Sequence, residues 1–207
     1  MSKSLNDTSV FLFILLSCFA LNPLKAQDLD PRAYVWVPVK GNFISSGFAL
    51  SKGGVLTDPS LPIENLKASV QTVNMGYARS FNLLGKTATA FVALPYSFAQ
   101  ASAVVNGQSE SISRSGFSDM RMRLSVLVVG APATTAANFA KVKQKTILGV
   151  RLTVSAPTGQ YFPDKLINLG ANRWAFKPEL ALSHPIGKRW LIDVYTGVWM
   201  FTNNNQF

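Results

Sequence analysis

Charged side chains recur at alternate positions inside stretches that are otherwise apolar. Asp119, Arg121 and Arg123 alternate with Met120, Met122 and Leu124. Arg151 sits between Val150 and Leu152, and Asp193 between Ile192 and Val194. Arg173, Lys177 and Glu179 alternate with Trp174, Phe176, Pro178 and Leu180. This spacing is not that of bond-making chemistry. It describes a wall of fixed charge, mostly basic, that concentrates anionic solutes or phenolates along a pore. The same spacing suits a packed interior in which Arg and Glu pair across strands. Both readings stay open.

Other chemistry finds little support. His184 is the only histidine, and it precedes Pro185 in a predicted turn. A hydrolase base needs a nucleophile and an orienting acid within hydrogen-bond reach. The chain has no Gly-x-Ser-x-Gly elbow. A lone histidine without cysteines does not make a zinc site. Gly53-Gly54 lacks a phosphate-cradling pattern, and no Walker or dinucleotide motif is present. This reading assigns no catalytic residue, no metal and no cofactor.

The elements that must position the charges have a period of two. In 120–129, Met120, Met122, Leu124, Val126 and Val128 oppose Asp119, Arg121, Arg123 and Ser125. In 146–156, Leu148, Val150, Leu152 and Val154 oppose Gly149, Arg151, Thr153 and Ser155. Alternate side chains leave opposite faces of a strand, so each segment has one apolar and one polar face. Segments 87–98 and 173–183 repeat the design. Segments 42–50, 66–81 and 189–201 are less regular; 66–81 changes phase near Val70–Val73, which points to a bulge there or to a misassigned register.

Composition and the N-terminus give the setting. The chain is 48% hydrophobic but only 14% charged, against about a quarter charged in soluble domains. Val10–Leu21 is an uncharged apolar run behind Lys3, too short to span a bilayer as a helix. It reads as a secretory signal cleaved after Ala26. Cys18 leaves a competing lipoprotein reading. The domains are thus a signal over 1–26 and a barrel over 27–207. The net charge of +10 becomes +9 without Lys3, Lys25 and Asp7. It points to anionic surroundings such as lipid and lipopolysaccharide, and an exported protein has no call on nucleic acid.

The predicted fold is all-β, an incomplete antiparallel transmembrane barrel of about seven strands in the outer membrane. Strand lengths approach the ~9–11 residues that cross a bilayer. Aromatics near strand ends (Tyr77, Phe81, Tyr96, Phe98, Trp174, Phe176, Trp190, Phe201) form candidate girdles. Long outer loops are expected at 51–65, 99–117 and 157–172, with short inner turns at 82–86 and 184–188. The connection 131–144 is longer, with a short helix over Ala136–Lys143. Asp58-Pro59 and Pro62 read as loop punctuation or as an anchor for a loop folded inward. Lys141, Lys143 and Lys145 read as a solvated face or a lipid headgroup contact. Residues 33–38 offer an awkward eighth strand.

An ordered series of motifs carries a family resemblance. It runs through Asp30-Pro-Arg-Ala-Tyr34, Asp58-Pro-Ser-Leu-Pro-Ile63, Gly76-Tyr-Ala-Arg-Ser80 and Leu94-Pro-Tyr96. It continues through Thr146-Ile-Leu-Gly-Val150, Ser155-Ala-Pro157, Asp164-Lys-Leu-Ile-Asn-Leu-Gly170 and Asn172-Arg-Trp-Ala-Phe-Lys-Pro-Glu179. The series resembles the outer-membrane transporters grouped as the meta-pathway phenol-degradation family. The resemblance implies an outer-membrane channel for aromatic or other small hydrophobic solutes, and this chain resembles a truncated member. No energy-coupling motif is visible, so passive uptake of small aromatic or anionic solutes is the expected mechanism. The alternatives are a plugged structural barrel and a lipid-modifying enzyme.

Overall fold

A computed structural model describes residues 34–206, apart from 57–61, 143–144, 166 and 188. The expected signal, 1–26, lies outside the described residues, as do Asp58, Pro59 and Lys143. Nine strands form one sheet: β1 (Asn42–Gly54), β2 (Ile63–Leu83), β3 (Lys86–Val105), β4 (Gln108–Phe117), β5 (Arg121–Val129), β6 (Ile147–Ser155), β7 (Ala175–Ile186), β8 (Trp190–Gly197) and β9 (Met200–Phe201). One helical turn, α1 (Ala136–Phe139), lies between β5 and β6.

All pairings are antiparallel, in the order β1-β2-β3-β5-β6-β7-β8. β4 pairs with the far half of β3, and β5 with its near half. β8 and β9 likewise share β7. The sheet thus has seven strand positions, as the alternation predicts. It curves into a half-barrel. The turn end carries the tight β2–β3 and β7–β8 turns and the long β5–β6 connection; the loop end carries the longer β1–β2 and β6–β7 connections and the tight β3–β4 turn. Among the described residues, β1 and β8 each have a neighbour on one side only.

The outer face is apolar across β5 to β8. Leu124, Leu152, Leu180 and Val194 are 45%, 43%, 56% and 58% exposed. Water would not tolerate so broad an apolar surface on a folded chain, but hydrocarbon does. Toward the loop end the band stops at aromatic contacts. Tyr96 lies 5.2 Å from both Phe98 and Phe117, and Trp174 stacks on Phe176 at 6.3 Å. Beyond them the outer face of β2 and β3 turns to Lys67, Ser69, Gln100 and Ser102, facing each other in register. The backbone continues as sheet after the hydrocarbon ends.

That continuation corrects the expected loop at 99–117. Residues 99–105 and 108–117 are a hairpin closed by Asn106-Gly107, both at positive φ (51° and 80°). Asn-Gly is the strongest two-residue signal for such a turn. The loop at 51–65 shrinks as well, because β1 runs to Gly54 and β2 starts at Ile63. The turn expected at 184–188 begins later, since β7 runs through Ile186. Residues 35–38 form no strand. The helix over Ala136–Lys143 is reduced to its first turn.

Register irregularities also move. β2 pairs with β3 without interruption from Lys67 to Leu83, so no bulge lies at 70–73; the shift lies between Glu64 and Lys67. Val70 faces inward and Gln71 outward because this part of β2 stands beyond the hydrocarbon. In β5 a shift between Leu127 and Val129 puts Val128 out of phase. Val129, not Val128, therefore joins the outer face, at 52% exposure.

Candidate functional site

The concave face carries the predicted charges. Arg121, Arg123, Arg151, Lys177 and Glu179 alternate with outward-facing apolar neighbours on β5, β6 and β7, which are adjacent in the sheet. Arg173 precedes β7 and Asp119 precedes β5. A cavity of about 710 Å³ near the loop end is lined by Asp119, Arg121 and Arg173, with Thr72, Asn74, Ser97 and Ser155. Loop residues 168–171 and the rings of Trp199 and Phe201 complete it.

The cations are held beside aromatic faces. Arg173 lies 4.4 Å from the Phe201 ring centre, Lys177 lies 5.6 Å from that of Trp199, and Arg123 lies 5.4 Å from that of Phe91. A ring face attracts a cation through its quadrupole, by about 0.5–1 kcal/mol when exposed. Phe201 therefore leaves the expected girdle: its register with Ala175 turns it inward. Trp199 stacks on it at 6.0 Å.

Deeper in, the charges pair. Glu179 lies 3.6 Å from Lys177 Nζ and 3.9 Å from Arg151 Nη1. Arg151 is only 8% exposed. Its Nε donates to Ser125 Oγ at 3.1 Å, and its guanidinium covers the Tyr34 ring at 4.7 Å. Burying a cation without such compensation is costly. The wall is thus open and basic near the loop end and packed near the middle, so each reading of the charges describes a different depth. Asp193 faces the same side, opposite Ser183 in register, apart from the basic cluster.

The alternation gave no hint of what fills the turn end. Residues 34–41 run across the concave face before entering β1. Tyr34 stacks 6.2 Å from Tyr195 on β8. Trp36 Nε1 donates to Thr87 Oγ1 on β3 (3.2 Å) and to the Pro132 carbonyl (3.1 Å). Its ring meets Phe139 of α1 edge-on at 5.2 Å. Both aromatics are buried. The strap is fastened to β2 as well: Lys40 N donates to Ser80 O (2.9 Å), and Ser80 Oγ donates to the Pro38 carbonyl (2.6 Å). The one sequence signal was two large aromatics in a segment that offered only an awkward eighth strand.

His184 Nδ1 lies 2.7 Å from Thr146 Oγ1 at an exposed position on the turn-end part of β7. Among the described residues no group of three metal-ligating side chains converges. Lys141 and Lys145 are exposed beside α1. Asp164, in the loop before β7, has its carboxyl held below the ordinary carboxylate range by a hydrogen bond from Lys165.

The family described as "Putative MetA-pathway of phenol degradation" matches residues 53–206. The chain belongs to this family. No curated protein matches this phenol-degradation family member. Among solved structures it is similar to an outer-membrane channel from Pseudomonas putida F1, with 19% identity and a TM-score of 0.56. The match covers 86% of this chain and 62% of the channel, so the chain spans less than two thirds of that protein's length. At this identity the likeness speaks for the fold, which is that of an outer-membrane barrel. The outer membrane is the location of this family member, and its apolar outer band fits there.

Proposed function

We propose that this chain forms the wall of an outer-membrane channel through which small solutes move passively. The observation that carries the reading is the contrast between its two faces. Leu124, Leu152 and Leu180 leave the sheet on one side, and Arg121, Arg173 and Lys177 leave it on the other, beside a cavity of about 710 Å³. Fixed cations on a low-dielectric wall raise the local concentration of anions. Arg121, Arg123, Arg173 and Lys177 line the path; Asp119 borders its loop end, and Arg151, Glu179 and Asp193 face the same side. The family description supports phenol-derived solutes. A phenolate presents an anion to Arg121 and Arg173 and a ring to Phe201 and Trp199. The motif-free sequence and the channel fold of the Pseudomonas protein favour transport over catalysis.

The strap favours a second reading, a plugged structural barrel. Tyr34 and Trp36 fill the turn end, and the Arg151–Glu179–Lys177 cluster packs above them. Conductance separates the two. Refolded protein in a planar bilayer is expected to give anion-selective current that falls with added phenolate. Silent membranes from correctly folded protein would leave the plugged barrel standing.

A further inference from the structure

We infer that Asp119 is a positioning residue rather than a pore charge: its carboxylate pins the loop 157–172 across the loop end of the lumen. The inference rests on the channel reading for its consequence and on geometry for its substance. Asp119 Oδ1 accepts the Gly159 N–H at 2.9 Å, and Oδ2 accepts the Ala171 N–H at 2.8 Å. One carboxylate thus holds both ends of the loop. Asn168 knots the middle, its Oδ1 accepting from Phe162 N (2.8 Å) and its Nδ2 donating to the carbonyls of Phe162 and Lys165 (3.0 Å each).

The backbone is shaped for this grip. Tyr96 pairs with Phe117 and Ala93 with Arg121, so two residues of β3 face three, Ser118–Met120. The extra residue is a bulge, a device that re-aims a side chain at a barrel rim. It allows Phe117 and Met122 to share the outer face although an odd number of positions separates them. It also releases Asp119 from the ladder to meet the loop. The loop strands touch where they are held: a Cβ on Gly170 would lie 2.7 Å from the Gly159 carbonyl carbon. Only glycine permits that approach. The far side is tied to the chain's last residues, Asn204 Nδ2 donating to the Tyr161 hydroxyl at 2.9 Å. The pinned loop contributes Asn168–Ala171 to the cavity wall, opposite Thr72 and Asn74.

Asp119→Asn keeps the shape of the side chain and removes an acceptor for one of the two N–H groups. A hydrogen bond to a carboxylate is worth about a factor of ten or more in such an equilibrium. Cleavage after Lys165 by trypsin, mapped by peptide mass on folded protein in lipid vesicles, is expected to accelerate about tenfold. The size cut-off for neutral solutes in vesicle swelling is expected to rise. A role as a pore charge would change ion selectivity alone. Ala171→Pro deletes one donor and keeps the carboxylate, and it loosens the loop in the same direction even where Asp119→Asn fails to fold. Unchanged cleavage in both single variants overturns the assignment. Faster cleavage with no solute passage in any variant supports the pin and sinks the channel reading.

Discussion

The Arg151 guanidinium lies 4.7 Å over the Tyr34 ring, which joins the middle of the charged wall to the strap that closes the turn end. A residue on β6 thereby holds a segment that precedes the whole sheet in sequence. Removing the ring takes away apolar burial against β6 and β8 together with a partner of a buried cation.

Tyr34→Ala is expected to destabilise the folded protein by about 3–5 kcal/mol, the usual cost of truncating a buried aromatic. Tyr34→Phe keeps the ring face and costs far less. The midpoint of urea unfolding in detergent or vesicles checks the order. Equal losses from Ala and Phe would show that the ring contact with Arg151 contributes nothing.

Trp36 separates packing from hydrogen bonding. Trp36→Phe keeps the edge contact with Phe139 and loses the donor to Thr87 Oγ1 and Pro132 O. The Pro132 carbonyl still accepts from Thr134 Oγ1 at 3.0 Å. The loss is therefore about 1 kcal/mol, against about 3–5 kcal/mol for Trp36→Ala. The same unfolding measurement reads both.

The open part of the wall sets ion preference. Arg121→Gln combined with Arg173→Gln is expected to lower the anion-to-cation permeability ratio about tenfold at low salt. The effect shrinks at 1 M salt, where screening acts within about 3 Å. Reversal potentials across a salt gradient measure it. An unchanged ratio would move the selectivity to the deeper cluster around Arg151.

The two faces differ in what they tolerate. Leu152 leaves the outer face between Leu124 and Pro178 in register, whereas Ser155 borders the cavity. Leu152→Arg is expected to cost about 2–4 kcal/mol, as for Arg at the bilayer midplane. Ser155→Arg, in water, costs well under half of that. Folded yield in vesicles, read by heat-modifiable gel mobility, tests the contrast. Reversed costs would exchange the two faces and remove the membrane assignment.

Within the segments 146–156 and 173–183 the sequence alone determined which side chains share a face. Alternation is a property of the strand itself and needs no partner. The seven strand positions followed from the same rule, and Asn106-Gly107 marked a hairpin legibly, though the surrounding residues were expected to form a loop. Only the tertiary structure decided the rest. The extra residues at 118–120 and at Val128 change which face follows, yet neither alters composition or local pattern, because a bulge is defined by the partner strand. Phe201 faces the lumen because it registers with Ala175, and Tyr34 and Trp36 fill it because β3, β6 and β8 surround them. Asp119 reads as one more wall charge until the N–H groups 40 and 52 residues away reach its carboxylate. Side-chain alternation is local and legible; what a side chain meets depends on register and on chain distant in sequence, which no window of the sequence contains.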